Sequence, residues 1–446
     1  MADEVELAVP ALPFDEMLPS SLRSLKIDMC TLTIVPYLER LLVKVEEKFP
    51  DFGELQLSEI DYRELDVEGY PLDQREALIE GMKVRLERLK EGFIQAGIKW
   101  IYGCSSEMGD INNKDVVVRP AKDLEEATQL WWPLMTSLGW NRSYHDLESY
   151  ISASQSRGLL VAVPHGSDEP VGHCAATIYD NSTGWVSLFV VQPTSQGKGH
   201  GRALFDAVLQ EFRDNNTSII GLDAVVEQKA TYERRGFVES PLGKLRCMSW
   251  DIPTNIDHIA SHDPDTSLQL VDIKDVPHHL LAKSDLDHTG FERKHLWSEK
   301  FFSRSDLFGF ALVNGNNVSG TEDICAWTIA RQVPQGFRLG PVYAVDQKAA
   351  RTIIQSAMEH AIRRIENPST NSAMSYPRVA NPGSHTVTAE IWDGNPHAVK
   401  LFEMLGWSTV GVDYHRMWLD GKSTPQQAEG GLAYSGMYAI FDAAIG

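Results

Sequence analysis

The stretch from Val186 to Phe237 constrains this chain more than any other. An apolar run, Val186-Ser187-Leu188-Phe189-Val190-Val191, leads through Gln192-Pro193-Thr194-Ser195 into a glycine loop, Gln196-Gly197-Lys198-Gly199-His200-Gly201. Leu204, Phe205, Val208, Leu209 and Phe212 then recur at helical spacing. A strand, a tight turn and a helix follow one another. Glycines let the backbone approach a ligand closely, and the first amides of a helix have no partner within it. Such a helix start binds anions, phosphates above all. Lys198, His200 and Arg202 add positive charge beside it.

Three phosphate loops compete for this pattern. A Walker A loop requires a Lys followed by Ser or Thr after its glycines, which is missing here. A dinucleotide fingerprint requires a third glycine where Arg202 stands, although Asp223 lies near the distance of its ribose acid. Val191-x-Pro193 followed by Gln196-x-x-Gly199-x-Gly201 resembles the pyrophosphate loop of the GNAT superfamily of N-acetyltransferases. Leu222-Asp223-Ala224 and Tyr232-Glu233-Arg234-Arg235-Gly236-Phe237 are similar to that family's fifth strand and following helix. The resemblance implies an α/β (α+β) fold, with a mixed, mostly antiparallel central sheet flanked by helices. It also implies acetyl-coenzyme A as cosubstrate.

Length and composition bound the alternatives. A chain of 446 residues holds about two to three domains. With 43% hydrophobic and 23% charged residues it has the composition of a soluble globular protein. A net charge of −21 argues against nucleic acid as a partner, because a phosphate backbone needs a basic face. It suits a cationic acceptor such as an amine, although a solvated acidic surface explains it equally. Cys30, Cys104, Cys174, Cys247 and Cys325 are scattered and form no C-x-x-C pair, so reduced thiols and no metal site are expected. The N-terminus shows no basic-then-apolar leader, and no apolar run approaches the ~18 residues that span a bilayer. The expectation is a cytoplasmic protein with no membrane partner.

Residues 1–24, with Pro10, Pro13 and Pro19 among acids, read as a mobile lead. Residues 25–112 read as a small α/β extension, with strands at 31–35, 54–57 and 98–102 and helices at 37–49 and 72–96. No chemical motif marks it; a packing or dimerisation role competes with a second function. The acetyltransferase-like domain spans 113–252, and a polar linker spans 253–267. Residues 268–446 then repeat the pattern. The clearest internal match is ungapped: Leu222-Asp223-Ala224 through Tyr232-Glu233-x-x-Gly236-Phe237 overlays Trp392-Asp393-Gly394 through Phe402-Glu403-x-x-Gly406-Trp407. The second half resembles the GNAT-type domain fused behind a first one in tandem proteins, where Gly-Pro-x-Tyr-Ala (here 340–344) and a closing Arg416-Met417 recur. It reads as degenerate. Phe402 replaces Tyr232, and Val345-Asp346-Gln347-Lys348-Ala349-Ala350 replaces the glycine loop with no glycine and a repelling acid.

Acetyl transfer needs a cradle for coenzyme A, a polarised thioester carbonyl, a neutral amine and a proton for the leaving thiolate. Amides of Gln196, Gly197, Lys198, Gly199, His200 and Gly201 can supply the cradle. The resemblance implies backbone contacts to pantetheine from Phe189 and Val191, with the Val191 N–H on the thioester oxygen. It places Tyr232 near the sulfur as proton donor, against a bland reading as a packed helix residue. It also places the 139–145 loop over the acceptor, with Trp140, Tyr144 and His145 as contacts that loop packing would explain equally. Asp223, Glu227, His173 and a water chain compete as general base. The recurrence of Asp393 favours a structural Asp223, and His173 on an apolar strand reads more naturally as a core histidine.

The leading expectation is an N-acetyltransferase acting on a primary amine of a small molecule by direct attack. A protein lysine or N-terminal acceptor is the enzymatic alternative. A coenzyme A-binding regulatory or assembly protein, or a nucleotide-binding dehydrogenase, remains as a different class. Oligomeric state is open, a dimer included.

Overall fold

The computed structural model of the chain describes residues 116–154, 158–253, 268–315, 317–366 and 385–446, and before them 4–6, 24–27, 38–39, 41–43, 54–58, 85, 88–89, 91–96 and 98–103. The chain divides into two compact units, Met1–Asn112 and Asn113–Gly446.

In the first unit, β1 (Glu4–Glu6), β2 (Ser24–Ile27), β3 (Glu54–Ser58) and β4 (Lys99–Gly103) form a four-stranded sheet in chain order, every pair parallel. β1 lies in the stretch read as a lead. Parallel neighbours need a crossover between each pair. Helical residues at 38–39 and 41–43 bury Leu38 and Leu41, and those at 91–95 bury Phe93. The strand read at 31–35 lies outside the described residues.

The second unit holds two halves of the same plan. The first runs β5 (Val116–Pro120), α1 (Leu124–Ser137), α2 (Asp146–Ser152), β6 (Leu159–Pro164), β7 (Gly172–Ile178), β8 (Thr183–Val191), α3 (His200–Asp214), β9 (Ile219–Val225), α4 (Lys229–Glu233) and β10 (Phe237–Asp251). The second runs β11 (Leu268–Asp272), α5 (His278–Thr289), α6 (Glu299–Phe302), β12 (Leu307–Asn314), β13 (Ile324–Val333), β14 (Gly336–Ala344), α7 (Gln347–Glu366), β15 (Thr386–Trp392), α8 (Ala398–Met404) and β16 (Ser408–Leu419). A last helix and strand, α9 (Ala433–Gly436) and β17 (Met437–Ala439), follow. Among the described residues no helix is long and apolar enough to cross a membrane.

All thirteen strands of this unit join one mixed sheet, ordered β11-β12-β13-β14-β17-β15-β10-β16-β9-β8-β7-β6-β5. In each half four antiparallel strands are followed by a parallel fifth, β9 on β8 and β15 on β14. The sixth strands then exchange. β10 pairs with β15 of the second half, β16 pairs with β9 of the first, and the two pair with each other at the centre. One sheet therefore crosses the stretch read as a linker, whose residues 254–267 lie outside those described.

The exchange carries a symmetric pair of ionic clasps. Asp223 at the end of the first half's fifth strand takes two hydrogen bonds from Arg416 of β16, at 2.9 and 2.7 Å. Its counterpart Asp393 takes Arg246 Nε of β10 at 3.0 Å. Planar guanidinium suits the bidentate Asp223–Arg416 pair, whereas Arg246 divides its donors between Asp393 and Asp413. The Asp223 and Arg416 side chains are fully buried, and Arg416 also lies over the rings of Trp185 and Trp392 at 4.7 and 5.0 Å.

Each half packs its own helix on one face of the sheet. α3 buries Leu204, Phe205, Val208 and Phe212, the stripe its spacing predicts, and α7 buries Ile353, Ile354, Ala357 and Met358. The opposite face is a single apolar core drawn from both halves, Trp131, Tyr150 and Trp185 with Trp297, Trp327, Trp392 and Phe441. Within it lies a buried ionic network. Asp442 receives Tyr150 Oη at 2.7 Å, Arg331 Nη2 at 3.2 Å and the Ala444 amide at 2.9 Å, and pairs with Arg142 and with Arg338. Arg331 also reaches Asp146 at 2.9 Å, and Glu390 pairs with Arg338. These arginines hold the Asp442 carboxyl well below the usual carboxylate range, against the opposing effect of burial.

Two stability outcomes follow from this packing. A Cβ at Gly221 of β9 would overlap the Trp185 ring and meet Trp418 Cζ3 at 2.9 Å, so Gly221→Ala is expected to cost about 1–3 kcal/mol in denaturant unfolding. Asp442→Ala leaves three arginines facing one another in the core and is expected to cost ~3–5 kcal/mol at pH 7. Because the folded carboxyl titrates below its unfolded value of 3.8, that contribution is fully present above pH 3.8 and fades as the pH falls beneath it. Denaturation of wild type and Asp442→Ala at pH 7 and pH 3 should show the gap narrowing in acid.

Candidate active site

β8 leads the chain into the site. Its parallel pairing with β9 is confined to Thr183–Ile219, Gly184–Ile220 and Trp185–Gly221, while the strands run on to Val191 and Val225. The two strands splay apart beyond Trp185. Among the described residues no other strand of the sheet enters between them. A bulge in β8 accompanies the divergence. His173 of β7 pairs with Val190 but Ala175 pairs with Ser187, so β8 spends one residue more than β7, and Leu188 takes the left-handed φ of 53°.

The glycine loop caps this opening. Pro193–Ser195 makes one tight turn, and Gly197 and Gly199 follow at φ of 75° and 80°. A Cβ at either would meet nothing within 4 Å, so it is conformation and not space that selects glycine there. Gly199 is the N-cap of the 15-residue α3, and no side chain caps the helix's first amides. At Gly201 space does matter: a Cβ would stand 3.3 Å from Phe189 Cζ and 3.5 Å from Val191 Cγ2, so the missing side chain lets helix and strand close up. The loop is braced by its own side chains. Gln196 Nε2 donates to the Val191 carbonyl at 3.1 Å and Lys198 Nζ to the Thr194 carbonyl at 2.9 Å. His200 is buried with its Nδ1 unpartnered. The helix start, free of acidic residues in its first turn, has the geometry and field of an anion site.

Tyr232 belongs to the same cluster. Its ring lies 5.7 Å from Phe205 and 6.4 Å from Phe237, and Phe205 lies 5.6 Å from Phe189. Burial pushes its phenol pKa up, so it is a neutral hydroxyl and a potential donor. The structure thus brings together Phe189, Val191, the loop 196–201 and Tyr232.

The other residues singled out in the sequence stand apart. Asp223 is engaged by Arg416, both side chains fully buried, which favours a structural role for it over a substrate contact. The 139–145 loop is anchored in the core by Arg142 on Asp442 and by Ser143 Oγ, which donates to Asp306 at 2.7 Å. Trp140 is half-buried against the shared core, while Tyr144 is exposed, edge-on to Trp132 at 5.3 Å and to His145 at 5.8 Å. Glu227 is exposed in the turn after β9.

The second half supplies the contrast. Its splay is filled: β14 and β15 pair from Gly336 to Leu339, and beyond that β17 enters between them, Val342 and Tyr343 facing Ala439 and Met437, and Ile391 facing Ala439. Its helix start is also occupied, for Asp346 Oδ1 accepts the Ala349 amide at 2.8 Å. Phe402, where Tyr232 would be, is fully buried against Trp407. Sequence reasoning missed β17 and Asp442; a three-residue strand carries no periodicity to find.

Residues 139–249 match the sequence model of the family described as Acetyltransferase (GNAT) domain. The chain is 26% identical over 224 residues to a holothin acyltransferase of Pseudoalteromonas sp. (strain SANK 73390), 49% of this chain and 67% of that protein. Its fold is similar to that of a putative acetyltransferase from Pyrococcus horikoshii, with a TM-score of 0.52 at 19% identity, over 77% of this chain and 100% of that one. A tandem GNAT protein from the clavulanic acid biosynthesis pathway aligns at a TM-score of 0.49 and 14% identity, over 69% of this chain and 98% of its own. Residues 139–249 thus match a GNAT acetyltransferase domain, with the glycine loop at a splayed fourth and fifth strand, and the second half repeats the same order of strands with its splay filled by β17.

Proposed function

We propose that the protein is an N-acetyltransferase that moves the acetyl group of acetyl-coenzyme A to a primary amine, in the first half only. The observation that carries this reading is the contrast between the two splays. In the first half the strands part beneath an uncapped helix start beside Tyr232; in the second, β17 and Asp346 take the corresponding places. The pyrophosphate would lie on the amides of Gln196, Gly197, Lys198, Gly199, His200 and Gly201, and pantetheine along Phe189 and Val191 in the splay.

The chemistry is a direct displacement. The amine lone pair attacks the thioester carbonyl carbon, the C–S bond breaks, and the thiolate takes the Tyr232 hydroxyl proton or its hydrogen bond. The Val191 amide would carry the negative charge that grows on the carbonyl oxygen. The attacking amine has to shed a proton. Asp223 is held by Arg416 and His173 is enclosed in the core, which leaves Glu227 and water for that step. Acyl transfer by the relative named above supports the reaction class. The small-molecule acceptor is our reading, and a protein lysine or N-terminal amine is the alternative. Trp140, Tyr144 and His145 are the residues we assign to the acceptor's approach.

Thiol release with a panel of small amines and lysine peptides tests this. Wild type should release coenzyme A with an amine. Tyr232→Phe is expected to lower kcat by roughly 10²-fold with acetyl-coenzyme A affinity intact. Gly199→Glu forces a side chain into a left-handed position and sets a carboxylate at the helix start, so it should abolish binding. Binding without turnover on any amine would favour a coenzyme A-binding regulatory protein.

A further inference from the structure

His173 is a fully buried histidine that the reaction above does not use. Its Nδ1 lies 2.6 Å from the Leu188 carbonyl oxygen. A carbonyl only accepts, so Nδ1 carries the proton and Nε2 is the bare nitrogen, which is buried without a partner. Burial depresses the ring's pKa to about 4, so the imidazole is neutral near pH 7. Leu188 is the residue at φ of 53° in the β8 bulge, a conformation unfavourable for a side chain with a Cβ. The next carbonyl back along β8, that of Ser187, is met by Cys174 Sγ at 3.4 Å. Side chains of β7 thus hold the bulge.

The second half carries a bulge at the matching register without such a tie. Thr328 pairs with Val342 and Ala330 with Leu339, so β14 also spends one residue more than its neighbour. Through this register Leu188 corresponds to Gly340 and His173 to Thr328. Gly340 has φ of 155°, open to glycine at no steric cost. At the matching register the closed half has a glycine, in a positive-φ conformation of its own, and the open half has a leucine at φ of 53° with an imidazole bonded to its carbonyl. Unfavourable backbone conformations persist only where surroundings over-determine them, and they gather at functional sites.

We infer that His173 is a positioning residue for acyl-coenzyme A: its Nδ1–H holds the Leu188 carbonyl, which fixes the β8 bulge and so aims the Val190–Val191 backbone into the splay. The inference rests on the proposed function for the identity of the ligand. Its signature is geometric. Asparagine places an amide N–H close to where Nδ1 stands, whereas glutamine reaches toward Nε2. Leu188→Gly would make the tie dispensable.

The test is a cycle of His173→Asn, His173→Gln, Leu188→Gly and the double variant His173→Gln with Leu188→Gly. Acetyl-coenzyme A affinity is read by calorimetry and folding by thermal melts. His173→Asn should bind within about twofold of wild type. His173→Gln should bind ~5- to 10-fold more weakly, the equivalent of one lost hydrogen bond. The double variant should recover wild-type affinity. Equal binding by His173→Asn and His173→Gln, or a loss in His173→Gln that Leu188→Gly fails to repair, would overturn the inference. If His173→Gln does not fold, His173→Gln is compared with His173→Asn in the Leu188→Gly background, where equal affinity supports the inference and a deficit overturns it. Wild type that binds no acetyl-coenzyme A would contradict the proposed function instead.

Discussion

Everything in the second unit depends on the exchange of β10 and β16. Each half's fifth strand is completed by the other half's sixth, and each junction is locked by an aspartate–arginine pair, Asp223 with Arg416 and Asp393 with Arg246. A clasp in one half is made of residues about as far apart in sequence as the chain's halves allow. Breaking the Asp223–Arg416 pair strands a charge in the core, and a buried charge without its partner costs far more than the pair contributes. The halves consequently fold onto each other, and the face of the sheet away from α3 and α7 becomes a single core with the Asp442 network inside it.

This arrangement explains how a repeated fold comes to have two unlike splays. In both halves the parting of the fourth and fifth strands is accompanied by a bulge, where the fourth strand spends one residue more than its antiparallel neighbour. In the second half the chain returns, lays β17 into the opening and runs on through Asp442 into the shared core. Asp346 meanwhile satisfies the helix amide that would otherwise seek an anion. In the first half the amides at the start of α3 have no side-chain cap, and the strain at Leu188 is held by His173. Polar satisfaction in one half and its absence in the other is what separates a scaffold from a site.

Much of this was legible in the sequence where the signal is local. The glycines at 197 and 199 mark left-handed backbone, the stripe of α3 marks its buried face, and the Asp-to-Phe segment around Tyr232 marks the fifth strand and its helix. The repeat of that segment at Trp392–Trp407 announced the second half, and the return of Asp393 rightly pointed to structure. The long-range partners were not legible. Asp223 finds Arg416, and Arg142 finds Asp442, across distances in sequence that no periodicity spans. The anchoring of the 139–145 loop in the core, by Arg142 on Asp442 and Ser143 on Asp306, was equally hidden, for both partners lie in the other half. β17 escaped because Met437-Tyr438-Ala439 is too short to declare itself.

In the function proposed, one half is open to an acyl-coenzyme A and the other is closed by its own chain. The stoichiometry of acetyl-coenzyme A on the intact protein tests it most directly, by native mass spectrometry across a titration. Saturation is expected at one cofactor per chain. Two cofactors per chain would mean that β17 yields its place in the second splay, and none would mean that the uncapped start of α3 is not the anion site described here.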